Sequence, residues 1–450
     1  MKILNALSPL ALICFPAATI SFADSTVESG AQQLPRAMHT PMKERASITV
    51  GVRDGNIVGS DNRALQAAVD HVASMGGGVV EIGPGEYLMR DALHLRPHVT
   101  VRGTPQKTVL RKAKSVASAL EVDGDYGEEQ FTVKNPEGFA VGNGVAIWDK
   151  NSGGGFHTTA ARIVGRTGNT FAISLPLNAD CMIDKSAQAA TVFPVVSGYH
   201  VESVRLEHLT IEGNKSENVF LNGCRGGGIF LYRCPGAIID RCTVRNYNGD
   251  GISFQQSNDV TVTSCVSEGN VGLGLHPGSG SQRPVVRQCV ARNNGEDGLF
   301  LCWRVKHGLF EENILEANGR FGISIGHKDT DNLLRKNQIR GNHEHGIFFR
   351  DETFGMAGHR NRIEENLIEN NGVKKEVAGI RVRGETHDLI FKNNIIRDTR
   401  RGSEGKQTIG IQLEEKVGAV TVEGNQVGAV KPIDDKRSKV EGVEAARSKQ

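Results

Sequence analysis

Eight glycine-led tetrapeptides, GIFL, GISF, GLHP, GLFL, GISI, GIFF, GIRV and GIQL, begin at Gly228, Gly251, Gly274, Gly298, Gly322, Gly346, Gly379 and Gly410. Their spacings are 23, 23, 24, 24, 24, 33 and 31 residues. A period of roughly 20–50 residues commits a chain to an array in which each unit buries its apolar side only against its neighbours. Two further columns keep step. One reads Cys242, Cys265, Cys289, Asn313, Asn337, Asn366, Asn394 and Asn425; the other reads Asn270, Asn294, Asn318 and Asn342. Within each unit apolar residues alternate, as in Ile323-Ser324-Ile325, and no stretch of helical length occurs between Asn214 and Val430. That is strand periodicity. Coils of about three short strands, stacked about 4.8 Å apart in parallel, satisfy it.

Stacking gives each column a task. A buried Asn at the same corner of successive coils can bond its copies above and below, and the glycines are expected to supply the positive φ of tight corners. Cys242, Cys265 and Cys289 form an inward column of thiols, expected to be unbridged because parallel side chains suit a disulfide poorly.

The ends read differently. Lys2, the apolar run Ile3 to Ile20 and Ser21-Phe22-Ala23 form a secretory signal over 1–23. A flexible segment is expected over 24–48, and a capping helix with the first coils over 49–122, Asp61 serving as N-cap. From 123 to 194 the coil rhythm gives way to a small β-rich insertion. The main solenoid spans 195–430, and the charged tail 431–450 is expected to be disordered. No later stretch reaches the ~18 apolar residues of a membrane span. A formal charge of +2 argues against a general nucleic-acid binder. The expectation is an exported monomer, periplasmic or extracellular.

The segment "DNRALQAAVDHVASMGGGVVEIGPGEYLM…LRPHVTVRG" resembles the opening of the pectate-lyase-like superfamily, in the branch shared with rhamnogalacturonases and epimerases. The "N-x-G-x-G-I" units resemble those of parallel β-helix proteins, including mannuronan epimerases and many lyases. The resemblance covers roughly 50–110 and 195–430. It implies an all-β, single-stranded right-handed parallel β-helix. Ser60-Asp61-Asn62 stands where that branch carries Asp-Asp, and the paired Asp motifs of pectin hydrolases are absent. The Asp-Pro-His-Asp signature of the epimerases is echoed only by Leu275-His276-Pro277-Gly278. Reaction type must therefore be argued from the site.

If the residue after each glycine points inward, the second and fourth point outward. The outward row then carries Trp303-Arg304, His327-Lys328, Arg350-Asp351-Glu352, Arg383 and Glu385, with His276 and Arg381 on the same face. Its basic middle suits an acidic polysaccharide. Removing the proton beside a uronate carboxylate needs a cation that neutralises the carboxylate and a base. His327 is assigned to proton transfer and Arg350 to neutralisation, with Lys328 and Asp351 beside them. His276, Trp303, Arg304, Glu352, Arg381, Arg383 and Glu385 are assigned to substrate binding. Each has a plainer reading as a turn charge, an ion-pair brace or a cover for the core edge. The leading function is a polysaccharide lyase or uronate epimerase. The alternatives are a hydrolase pairing Asp351 or Glu352 with Glu385, and a non-catalytic glycan binder or periplasmic maturation factor. No cofactor is expected. Calcium would require Asp329, Asp331, Asp351 and Glu352 to converge, and His343 and His345 lack a third ligand.

Overall fold

The computed structural model describes residues 42, 44–151 and 155–437. Residues 1–23, expected to be a signal, and the tail beyond 437 lie outside these residues. The chain winds through three parallel sheets of 13, 11 and 11 strands, visiting each once per coil. One coil runs through Ile252–Gln255, Thr261–Thr263 and Val266–Glu268 before Leu275–Gly278 pairs with the strand that opened it. Ile252, Leu275, Leu299, Ile323, Ile347, Ile380 and Ile411, each next to a column glycine, stack in the interior at 2% exposure or less.

The glycines act differently from expectation. None of the eight has a positive φ. Each is needed because the coil turns against its neighbour: a Cβ on Gly251 would lie 1.9 Å from Ser267 Oγ, and one on Gly298 2.7 Å from Asn318 Nδ2. The left-handed corners are instead carried by residues with side chains, among them Arg233, Gln256, Trp303 and His327, at φ of 53°, 49°, 61° and 48°. Two asparagine ladders run through the later coils of the solenoid. Asn270, Asn294, Asn318, Asn342 and Asn371 pass side-chain hydrogen bonds of 2.8–3.0 Å down to Gln407. Asn313, Asn337, Asn366 and Asn394 do the same down to Asn425.

The thiols of Cys242, Cys265 and Cys289 are buried and free. Cys242 and Cys289 give their S–H to Asp240 O and Val262 O at 3.5 Å, and Cys265 to Thr263 O at 3.2 Å. All three should resist alkylation in the native protein and react after denaturation without reductant. A mass spectrum showing any two linked would overturn this account.

The helix Asn62–Ser74, N-capped by Asp61 through Arg63 N at 3.0 Å, buries Leu65, Ala68, Val69 and Val72. It packs on strands Ala46–Gly51 and Gly78–Ile82. The first of these strands begins inside the segment expected to be flexible, because it pairs with the second. Six antiparallel strands between Ala117 and Ala190 form a separate sheet around Phe131, Phe139 and Phe171. It starts before Asp123 because Ala117–Ala119 closes on Gln188–Ala190. The tail also departs from expectation. Lys431–Asp435 adds a strand beside Ile409–Leu413, and Gln412 Nε2 donates to Asp434 at 2.8 Å. Lys431 and Asp435 are exposed and only Asp434 of its charges is buried, so composition concealed the pairing.

Candidate active site

The 11-stranded sheet that carries the tetrapeptides sets one outward column in parallel register: Phe230, Ser253, His276, Phe300, Ser324, Phe348, Arg381 and Gln412. Exposure changes along it. Phe230, Ser253 and His276 are buried at 2%, 0% and 3%. The segment 219–227 lies over this part, where Ser253 Oγ donates to Gly223 O at 2.7 Å. Further along, Phe300, Phe348 and Arg381 are half-buried while Ser324 and Gln412 stay buried, and Trp303 at the edge is 43% exposed.

Beneath the cover, His276 Nδ1 lies 2.7 Å from Asp250 Oδ2, and Leu273 N donates to Asp250 Oδ1 at 2.9 Å. Burial opposes a charge on this imidazole, but the Asp250 carboxylate outweighs it and the net direction is upward. His276 Nε2 has no partner. The ring meets the face of Phe300 edge-on at 5.4 Å, and the Arg350 guanidinium lies over the same phenyl at 4.5 Å.

Arg350 lies over the outward column but is tied down there, its side chain only 13% exposed, instead of standing free for substrate. Its guanidinium donates to Ser324 Oγ at 2.9 Å, Leu301 O at 2.7 Å and Asp329 Oδ2 at 3.0 Å. Asp329 is fully buried and also accepts from Val305 N and Gly326 N at 2.9 and 3.1 Å. Burial pushes its carboxyl up to about 7, against the pull of Arg350.

His327 sits at the rim in a left-handed corner, stacked on Trp303 at 5.1 Å. Burial and then the Arg350 charge depress it to about 4, so the ring is neutral. Its Nε2 lies 2.7 Å from Glu352 Oε1, which makes Nε2–H the donor and leaves Nδ1 unpartnered. Glu352, rather than Asp351, is thus the carboxylate at His327. Asp351 pairs with Arg383 at 2.7 Å, and Arg381 with Glu414 at 2.8 Å. Glu385 accepts from Phe354 N at 2.7 Å, bracing a loop. Lys328 and Arg304 are exposed, and among the described residues neither has a carboxylate partner; Arg304 lies over Trp303 at 5.7 Å.

Gln255 Oε1, His276 Nε2, Asp297 Oδ2, His327 Nδ1 and Arg350 Nε are buried without partners, all on consecutive coils of this sheet. Unpaired buried polar atoms are uncommon, and their clustering marks a face shaped for something other than stability. Asp250 and Phe300 belong to it without having been singled out from sequence, and Asp329, considered there only as a calcium ligand, belongs to it as the partner of Arg350. The signal for Asp250 was present: it directly precedes a column glycine, where the adjoining coils carry Gly227 and Leu273 and an acid recurs only at Asp297, two coils on.

Residues 195–304 match the family described as right handed beta helix region. The chain is a right-handed parallel β-helix repeat protein. Residues 278–426 match the family described as periplasmic copper-binding protein (NosD). Mannuronan C5-epimerase AlgE6 of Azotobacter vinelandii is 24% identical over 286 residues, 62% of this β-helix and 23% of that protein, so the match spans under a quarter of its relative. The solved A-modules of AlgE4 and AlgE6 from the same organism superpose with TM-scores of 0.57 and 0.51 at 17% and 15% identity. They cover 86% and 87% of this chain and all of theirs. At such identities the likeness establishes the fold. Copper would want converging imidazole and sulfur donors. Among the described residues no group of three or more His, Cys, Asp or Glu is placed to hold a metal ion, so the donor set does not fit and no step is assigned to a metal. No described helix is long and apolar enough to cross a membrane.

Proposed function

We propose that this β-helix is an exported enzyme that acts on an acidic polysaccharide by removing the proton beside a uronate carboxylate, as a lyase or an epimerase. The observation that carries this is the neutral imidazole of His327 flanked by the unpaired cations Arg304 and Lys328 on the open part of the face. A base must be unprotonated where the substrate carboxylate is ionised, and at about 4 His327 meets that condition across neutral pH. With Nδ1 buried, the proton is taken at Nε2, which requires the ring to carry its own proton on Nδ1 and Glu352 to give way there to the substrate. Arg304 and Lys328 take over the carboxylate neutralisation first assigned to Arg350. Arg350 acts as a positioning residue whose charge adds to burial in keeping His327 neutral. Trp303 and Phe348 offer ring faces to a sugar, and the similar proteins named above as mannuronan C5-epimerases agree with an acidic glycan.

Incubation with a panel of polyuronates in deuterated buffer tests the reaction. A new ultraviolet-absorbing double bond indicates elimination, and deuterium at the carbon beside the carboxylate without cleavage indicates epimerisation. New reducing ends with neither would sink the proposal.

Binding gives a second test. Arg304→Ala should weaken an anionic glycan severalfold, more at low salt, where exposed charges are least screened. Arg383→Ala should do less, because Asp351 already answers its charge. Equal affinities in wild type and Arg304→Ala at low salt would place the glycan elsewhere.

A further inference from the structure

A cleft of about 280 Å³ lies between the antiparallel insertion and the first coils, near Arg162, Leu175, Phe193, Arg225 and Phe230. The segment 219–227, which rests on Ser253, contributes Arg225 to its lining, and His327 is not among the lining residues. We propose that this cleft is a second binding site, for one monomeric sugar acid. Its size, just under the ~300 Å³ at which drug-sized sites begin, suits a single sugar unit.

Charge decides the ligand's sign. Arg96 is answered by Asp70 at 2.8 Å. The buried Asp91 answers both Arg162 and His94, the latter at 2.9 Å. Arg225 has no carboxylate partner among the described residues. It donates through Nε and Nη2 to one carbonyl, Phe156 O, at 3.0 and 2.8 Å, and its guanidinium lies over the rings of Phe156 and Tyr232 at 4.8 and 5.6 Å. The guanidinium is therefore held in place with its charge unspent, a ready receptor for a carboxylate. Phe193, Phe230 and Leu175 give the cleft an apolar wall for the face of a sugar ring. The acid in this assignment rests on Arg225; the sugar rests on the proposed action on acidic glycans.

Calorimetric titration of the full chain with glucuronate, galacturonate and mannuronate tests it, with glucose as the neutral match and benzoate as a non-sugar acid. At least one uronate should saturate a single site that glucose does not occupy. Arg225→Gln and the cleft-filling Leu175→Trp should each weaken it on the order of tenfold or more. Leu175 is exposed at 38%, so its replacement keeps the test valid even if the Arg225 variant unfolds. His327→Ala should bind as wild type does. The assignment is overturned if no uronate saturates, if glucose binds equally, if benzoate alone binds, or if Leu175→Trp folds and binds unchanged. A protein inert toward every polyuronate that still binds a uronate at Arg225 would keep this site and remove the proposed reaction; turnover without such binding would do the reverse.

Discussion

Turnover of a polyuronate should fall below detection in His327→Ala, while glycan affinity and the unfolding transition stay close to wild type. The side chain is at the rim, 27% exposed, and its removal frees Glu352 to water rather than stranding it in the core. Surface changes of this kind usually fall within about 0.5 kcal/mol, and loss of the Trp303 stack adds little. The pH profile carries a sharper signature. The acid limb of kcat/KM should lie near 4 rather than at the ~6.5 of a free imidazole. Burial is the larger cause, so Arg350→Met should move the limb only part of the way up. Stability should respond as well. Between about 4 and ~6.5 the unfolded chain binds a proton at this histidine that the folded chain does not, so its contribution to stability rises with pH across that window and falls away toward acid. His327→Ala should remove that slope. Wild-type turnover in this variant would move the base to His276, whose Nε2 is also unpartnered.

Residues whose role is repeated were legible in the sequence; those whose role is singular were not. The asparagine columns implied ladders because the same side chain recurs at the coil spacing, and stacking leaves an inward amide little else to bond. The outward column likewise followed from alternation, which put Arg381 and His276 on one face. Arg350 did not follow. Its offset from Gly346 placed it on that face, but its fold-back depends on Asp329, which lies in the preceding coil beyond a left-handed corner at His327-Lys328. Periodicity does not say where a long side chain goes after a corner. The glycines show the same limit. Recurrence said that no side chain fits there, and only the neighbouring coil, with Ser267 Oγ or Asn318 Nδ2 in the way, showed that crowding rather than φ was the reason. Asp250 and the cover over His276 depend on segment 219–227, which has no counterpart in the repeat.

Above pH 7, where its carboxyl is ionised, Asp329→Ala should cost about 3–5 kcal/mol of stability, because it strands a buried cation. The carboxylate receives Arg350 together with Val305 N and Gly326 N, and no exposed group stands ready to replace it. Removing both charges should be milder. With Arg350→Met added, the guanidinium no longer needs an acceptor, so the double variant should recover part of the loss and the two costs should be strongly non-additive. The pH dependence has the opposite sign to that of His327. At about 7 in the folded chain against ~3.9 unfolded, Asp329 holds a proton that the unfolded chain has released, so its contribution is fullest below about 4 and declines as pH rises to about 7. Asp329→Asn should flatten that decline, although its amide cannot accept from all three donors and the variant should still be weaker than wild type near neutral pH. Denaturant unfolding of the five proteins, wild type included, at pH 5 and 8 measures every term. Strict additivity of Asp329→Ala and Arg350→Met would show that the pair is not coupled, and Arg350 would then be free to serve the open face as a substrate cation.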